Sequence, residues 1–363
     1  MKIGILTQPL RYNMGGLLQN YAMQQVLKSL GHKSVTLDPD RYQHVSNLVI
    51  VKRIILRLCG HKTPIFIESG QNRVVRIKGK NTDKFIKRYI NCLCYQNSKQ
   101  LKSTDYDALI VGSDQVWRPL YNGNRLGTMY LDFSDGWDVK RIAYAASFGT
   151  DEWEYTEEQR VKYGAFLKQF DLVSVREKSA VQICKDRFDV DAVHVLDPTL
   201  LLSKDDYIRI IEREKEPKSA GDLLVYFLDN TADKKLFEEK VKNDYSLTPF
   251  YVNNDVSNHE TVPQIPVSRW LRGFWDAKVV ITDSFHACVF AIIFNKPFIL
   301  YANMERGFAR FQSLFELFEL KDCMIFNSGE YNNLPLFDFD KINDNLTMLQ
   351  KKSIGILEHA LLK

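Results

Sequence analysis

Apolar residues in this chain gather into short runs set between longer stretches in which they recur every three or four positions. The runs at Ile3 to Thr7, Ser34 to Leu37, Asp107 to Val111, Arg141 to Ala146, Leu172 to Val175 and Val193 to Leu196 read as buried strands. After the first of them, Met23, Val26, Leu27 and Leu30 fall at helical spacing before Gly31 stops the helix. Short apolar strands separated by helices predict a parallel sheet covered on both faces. Ligands of such sheets bind beyond the carboxyl ends of the strands. Asp114, Ser147, Arg176 and Asp197 all fall at those ends and are expected on one rim.

A polar, lysine-rich stretch from Ser203 to Gly221 reads as a helix and linker, and a second alternation begins at Leu223 to Leu228. It runs through a helix ending near Asn243, a strand near Thr248 to Val252 and the amphipathic Val267 to Trp275. The strands Val279 to Ile281, Phe298 to Tyr301 and Cys323 to Phe326 follow, with a helix from Phe308 to Phe318. Ile354, Leu357 and Leu361 give the last helix an apolar stripe for packing back onto the body. The expected organisation is α/β: a doubly wound, Rossmann-like domain over 1–203, a second over 204–345, and a returning helix over 346–363. Two such domains enclose a cleft, a preferred place for ligands.

Length agrees, since 363 residues are long for one core. A hydrophobic content of 45% with 26% charged residues is that of a globular protein in water. No charged-then-apolar leader opens the chain and no apolar run is long enough to cross a bilayer, so a cytoplasmic location is expected. The six cysteines lack metal-binding spacing, and even Cys92 and Cys94 are too close for a zinc pair. They read as reduced, structural thiols, and no metal is expected.

Charge adds one feature that hydropathy does not. Between Arg41 and Thr104 stand fourteen Lys or Arg and two acids, about +12, which leaves about −8 for the rest of a chain whose net charge is +4. Within it, over 47–59, Leu48, Val51, Ile55 and Leu58 share one helical face while Lys52, Arg53 and Arg57 share another. A basic amphipathic helix can lie peripherally on an anionic membrane or hold a phosphorylated acceptor. An ordinary core-packed helix with a solvated basic side is the alternative. Nucleic acid is not an expected partner, because no recognition motif accompanies the basic segment.

Candidate chemistry concentrates in the run Val279 to Cys288, a strand ending in the polar turn Asp283-Ser284 with His286 at the start of an apolar helix. Amides at a helix N-terminus bind phosphate or carboxylate, and a histidine exchanges a proton near neutral pH. The plainer reading is a core histidine with Asp283 or Ser284 as a helix cap. Arg176 follows a strand directly, where a guanidinium can grip an oxyanion through two parallel hydrogen bonds; pairing with Glu177 or another nearby acid is the structural alternative. Arg306 and Arg310, either side of Gly307, are weaker candidates for the same anion. Asn13-Met14-Gly15-Gly16 permits close backbone approach, although it is neither a dinucleotide fingerprint nor a P-loop. Gly112-Ser113-Asp114-Gln115-Val116-Trp117 offers groups for hydroxyls and an aromatic to stack on a sugar.

Together these pieces resemble the polysaccharide pyruvyl transferase family. The matching residues are Asn13 to Gly16 with Leu18 to Ala22, Gly112 to Trp117, Ser147-Phe148-Gly149, Ser174 to Glu177, Asp197-Pro198-Thr199, Thr282 to His286, and Arg310-Phe311 with Ser313-Leu314. The resemblance implies a fold like that of B-type glycosyltransferases and transfer of pyruvate from phosphoenolpyruvate onto a sugar as a ketal in surface polysaccharide assembly. No cofactor is implied beyond that donor. His286 then resembles the family's essential histidine, able to act as general acid and then base, and Arg176 its anion-binding arginine. Substrate contacts fall to Asn13, Gly15, Gly16, Ser113, Asp114, Ser147, Asp283, Ser284, Arg306 and Arg310, with Asp114 holding an acceptor hydroxyl. The segment 41–104 matches least and is assigned acceptor choice, a lipid-linked sugar at the inner membrane face included. A sugar-nucleotide-dependent glycosyltransferase and a non-catalytic carbohydrate-binding protein are the competing readings.

Overall fold

The computed structural model describes residues 1–62, 64–253, 262–303 and 307–362. Its first half is a seven-stranded parallel sheet built from β1 (Lys2–Leu6), β2 (Lys33–Pro39), β3 (Cys92–Tyr95), β4 (Ala108–Val111), β5 (Lys140–Ala146), β6 (Leu172–Val175) and β7 (Val193–His194). Their order in space is β3-β2-β1-β4-β5-β6-β7, so the winding reverses between β1 and β4. The second sheet has five parallel strands, β8 (Leu223–Tyr226), β9 (Pro249–Tyr251), β10 (Val279–Thr282), β11 (Phe298–Tyr301) and β12 (Met324–Ile325). Here the order is β12-β11-β10-β8-β9, and the reversal lies between β10 and β8. Both sheets are doubly wound, and both reversals are where such folds hold ligands.

The helices obey the local chemistry of their ends. In α1 (Met14–Ser29) the Asn13 side chain accepts a hydrogen bond from the Gly16 amide, satisfying one of the donors that a helix start leaves over. The basic segment supplies α2 (Asn47–Leu58) and α3 (Ile67–Tyr89). Two one-turn helices, α4 (Pro119–Asn122) and α5 (Leu126–Met129), are followed by α6 (Glu157–Leu167), α7 (Lys178–Phe188) and α8 (Lys204–Arg213). Capping boxes at Thr156/Gln159 and Ser203/Asp206 start α6 and α8. The second sheet is covered by α9 (Ala232–Asp244), α10 (Val267–Asp276), α11 (Phe285–Ile293) and α12 (Phe308–Phe318), and α13 (Phe339–Leu362) closes the described chain.

One apolar core runs through both sheets: Ile3, Ile5 and Leu18 belong to the same cluster as Leu224, Val280, Phe290 and Leu357. The last helix secures this junction by returning to the first domain. Ser353 Oγ accepts from the Leu196 amide at 3.1 Å, and Gln350 Nε2 donates to the Leu200 carbonyl at 2.7 Å. Lys140 Nζ reaches the Ala360 and Leu361 carbonyls, placing a cation on the end of α13 where unsatisfied carbonyls and the helix dipole favour one.

Four expectations are corrected. The helix α13 begins at Phe339, well before 346, because Phe339, Ile342 and Leu346 extend its apolar stripe. The strand expected over Val193 to Leu196 pairs only at Val193 and His194, after which the chain turns toward Asp197. The basic segment holds a long helix and an edge strand that periodicity did not reveal; α3 is mostly polar and buries little, and β3 is the short Cys-Leu-Cys-Tyr. Core packing of the 47–59 helix fails, since no residue of α2 is buried.

Because Leu357 is fully enclosed in the shared core, Leu357→Ala is expected to cost about 3 kcal/mol of unfolding free energy. Met348→Ala, on the exposed side of the same helix, is expected to change it by less than about 0.5 kcal/mol. Urea titration of the two variants measures both.

Candidate active site

The two reversals open onto one cleft of about 1170 Å³, walled by Tyr12, Asn13, Gly15, Asp114 and Tyr121 on one side and by Ser284, Phe285, His286 and Arg310 on the other. The first turns of α1 and α11 therefore both border it. Ser284, the N-cap of α11, makes no capping bond with its side chain, so the expected cap is absent and the first-turn amides stay available to an anion.

His286 is the centre of the arrangement. Its ring packs so closely on the start of α1 that a Cβ on Gly15 would stand 2.0 Å from Nδ1. Nε2 points toward Asp197 Oδ2 at 3.9 Å, and this buried nitrogen makes no hydrogen bond with the described residues. Burial pulls its pKa down to about 4; Asp197 opposes the fall and Arg176 adds to it. Unliganded, the imidazole is neutral at physiological pH.

Behind the imidazole lies a buried charge network. Arg176 Nη1 donates to Asp197 Oδ2 at 2.8 Å, Arg176 Nη2 stands 3.7 Å from Asp114 Oδ1, and the guanidinium sits 4.8 Å from the centre of the Phe285 ring. Gln19 Nε2 also donates to Asp197 Oδ2, at 2.5 Å, and to Ser113 Oγ at 3.0 Å. Asp114 adopts a φ of +70°, in the left-handed region that few non-glycine residues visit, and its carboxylate accepts from the Asn13 side chain at 3.2 Å and its neighbour's amide at 2.9 Å.

The structure brings Asn13, Gly15, Asp114, Asp283, Ser284, His286 and Arg310 to the cleft, and it moves others away from it. Arg176 does not line the cleft: as the structural alternative held, its charge is committed to nearby acids, Asp197 and Asp114 rather than Glu177, and Arg310 stands at the wall instead. Burial lowers the pKa of Arg310 to about 10, with Arg176 pushing the same way, and it stays protonated at neutral pH. Ser147 is fully buried, donating to Glu177, and Ser113 bonds the Ala145 carbonyl; both brace the rim from behind. Gly16 also lies outside the cleft wall. Asp283 borders the cleft with its carboxylate tied to Lys234 at 2.6 Å and to the Leu228 amide. Trp117 stacks on Tyr130 inside the core, and the aromatic residues that border the cleft are instead Tyr12, Tyr121, Tyr226, Trp270, Phe285 and Phe311. Arg306 lies outside the described residues.

Sequence reasoning gave no site role to Lys234, Arg11 or Arg125, nor to Gln19, although Gln19 stands in the Leu18 to Ala22 stretch that carries the resemblance. Gln19 and Lys234 are polar residues on helices, where burial leaves no periodic signature. Arg11 and Arg125 both line the cleft, and with Arg310 they give it three guanidinium groups among the described residues. Proximity of Arg11 to Arg125 adds to the burial that lowers the pKa of Arg125. No cluster of His, Cys, Asp or Glu suited to a metal ion occurs among the described residues.

Gly15→Ala is expected to displace the imidazole and lower turnover at least about 100-fold with the fold retained. Gly16→Ala, whose Cβ would meet nothing closer than 3.5 Å, should keep activity within about two-fold. A second prediction concerns acid stability. Between about pH 6.5 and 4 the unfolded chain holds a proton on His286 that the folded chain lacks. Stability is therefore complete above about pH 6.5 and falls as pH drops toward 4, by up to about 3 kcal/mol from this residue. Denaturant titrations across that window should show a flatter profile for His286→Gln.

A family model described as polysaccharide pyruvyl transferase matches residues 13–305. General stress protein 30 of Bacillus subtilis is 25% identical over 200 residues, which are 50% of this chain and 55% of that protein, so the chain spans about half the length of this curated relative. Among solved structures, UDP-GlcNAc 2-epimerase from Neisseria meningitidis superimposes with a TM-score of 0.51 at 9% identity, with all of each chain covered. UGT89C1 from Arabidopsis thaliana, complexed with UDP-L-rhamnose, gives 0.48 at 9% identity over 97% of this chain and 94% of its own. At such identities the first likeness speaks for the fold alone, two Rossmann-like domains of the B-type glycosyltransferase architecture, in accord with the two doubly wound sheets. The family match takes in the α1 start, the Asp114 turn, Arg176, Asp197 and His286, and the chain belongs to the polysaccharide pyruvyl transferase family.

Proposed function

We propose that this chain transfers the pyruvyl group of phosphoenolpyruvate onto two hydroxyls of a sugar as a ketal. The observation that carries the reading is a neutral, buried imidazole set between two helix N-termini in a cleft with three arginines. Such a cleft suits a donor with both a carboxylate and a phosphate, and the arginines oppose charge that grows on the phosphate as it departs.

In one concerted step the C=C π pair takes a proton at the methylene carbon, which becomes the methyl group of the product, and the first sugar hydroxyl adds through its oxygen to the central carbon as that carbon becomes cationic. His286 relays the hydroxyl's proton to the methylene carbon and is neutral again at the end of the step. The second hydroxyl then attacks the same carbon, phosphate leaves with the electrons of its C–O bond, and His286 takes the second proton. Asp197 holds the imidazolium formed in each step, with Arg176 fixing Asp197. Asp114, anchored by Asn13, orients an acceptor hydroxyl, and Tyr12 and Tyr121 offer rings to the sugar face.

Purified protein should release phosphate from phosphoenolpyruvate only with an acceptor present, and the acceptor should gain an acid-labile pyruvyl mass. His286→Gln should lower that rate by about 100-fold or more with unchanged circular dichroism. Phosphate release by His286→Gln at the normal rate, or thermal stabilisation by sugar nucleotides and not by phosphoenolpyruvate, would overturn the reading.

A further inference from the structure

Eight large apolar side chains of the segment 48–67 are exposed: Leu48, Val49, Val51, Ile54, Ile55, Leu58, Phe66 and Ile67. No other stretch of the described chain exposes apolar residues at this density. Leu48 and Leu58 are 81% and 82% exposed, and they share a face with Val51 and Ile55, beside Lys52. The two helices they stand on are tied together. Arg53 donates to both oxygens of Glu68 at 2.7 and 2.8 Å and also to the Ile65 carbonyl, pinning α2 to the start of α3. A groove of about 610 Å³ lies between them, with Ile50, Ile65 and Phe66 next to Arg73 and Arg76.

Charge identifies what covers this surface. From Asn47 to Lys80 there are eight Lys or Arg, and Glu68 is the sole acid, already spent on Arg53. Two copies meeting through this face would bring together two strongly cationic surfaces around an apolar centre, which opposes self-association. An anionic lipid bilayer offers both complements, acyl chains for the exposed stripe and headgroup phosphates for the basic residues around it. The hairpin also stands at the mouth of the cleft. The Tyr12 hydroxyl donates to the Val75 carbonyl of α3 at 3.2 Å, and the Gln264 amide donates to the Lys78 carbonyl at 3.0 Å, and both Tyr12 and Gln264 border the cleft.

We propose that α2 and the first turn of α3 seat this protein on an anionic membrane surface, and that the acceptor sugar is presented there on a lipid anchor. The identity of the acceptor rests on the function proposed above; membrane seating does not. The tests are vesicle co-sedimentation with phosphatidylcholine alone or with about one part in three phosphatidylglycerol, and phosphate release with a soluble acceptor. The full chain should pellet with the anionic vesicles, little with the neutral ones, and less at high salt. Leu48→Asp/Ile55→Asp/Leu58→Asp should weaken pelleting at least about ten-fold, and Lys52→Gln/Arg57→Gln should weaken it measurably. Both variants should keep the soluble-acceptor rate. Absence of pelleting, or pelleting undiminished by the triple substitution, overturns the proposal. So does a dimer that the triple substitution dissociates, which would give the face to a second copy. Vesicle binding without turnover of phosphoenolpyruvate would uphold the seating and defeat the proposed function.

Discussion

The buried carboxylate of Asp197 is the constraint on which the rest of the site depends. Burial opposes its ionisation, yet Arg176, His286 and the Thr199 hydroxyl hold its pKa below the ordinary value. This one group takes hydrogen bonds from Gln19 on α1 and from Arg176 after β6, and it faces His286 on α11. Elements of both domains thus share one buried charge. Removing one partner of such a pair leaves the other unpaired in a dry interior, at a cost of about 3–5 kcal/mol. The same enclosure that makes the network costly to break keeps the imidazole neutral.

Much of this was legible in the residues. Strands β1, β2, β4, β5, β6, β8, β10 and β11 announce themselves because buried parallel strands are continuous apolar runs, and their polar ends mark the rim. Asp114, Arg176 and Asp197 do converge, as their strand-end positions predict. What the sequence concealed is direction. Nothing in Ser174-Val175-Arg176-Glu177 reveals that Arg176 turns inward to two aspartates and that Glu177 takes the Ser147 hydroxyl and two backbone amides. Trp117 misled for the same reason, since an aromatic beside a polar turn can face either a ligand or the core.

Hydropathy also reads poorly where an element buries little. α3 carries only four buried residues in its 23, and its periodic signal is lost among lysines and polar side chains. Conversely α2 has a clear amphipathic pattern and no protein core beneath it. A stripe of apolar residues states that something covers it; composition does not state that the cover belongs to the same chain.

The close packing of Gly15 on His286 joins residues from opposite walls of the cleft. The proton affinity of the imidazole is therefore a reporter of the gap between the two domains. Any widening that lets water reach the ring returns it toward an ordinary histidine, and by linkage protonation of the ring favours the wider gap. On this geometry the protonation of one ring and the spacing of two domains are linked quantities.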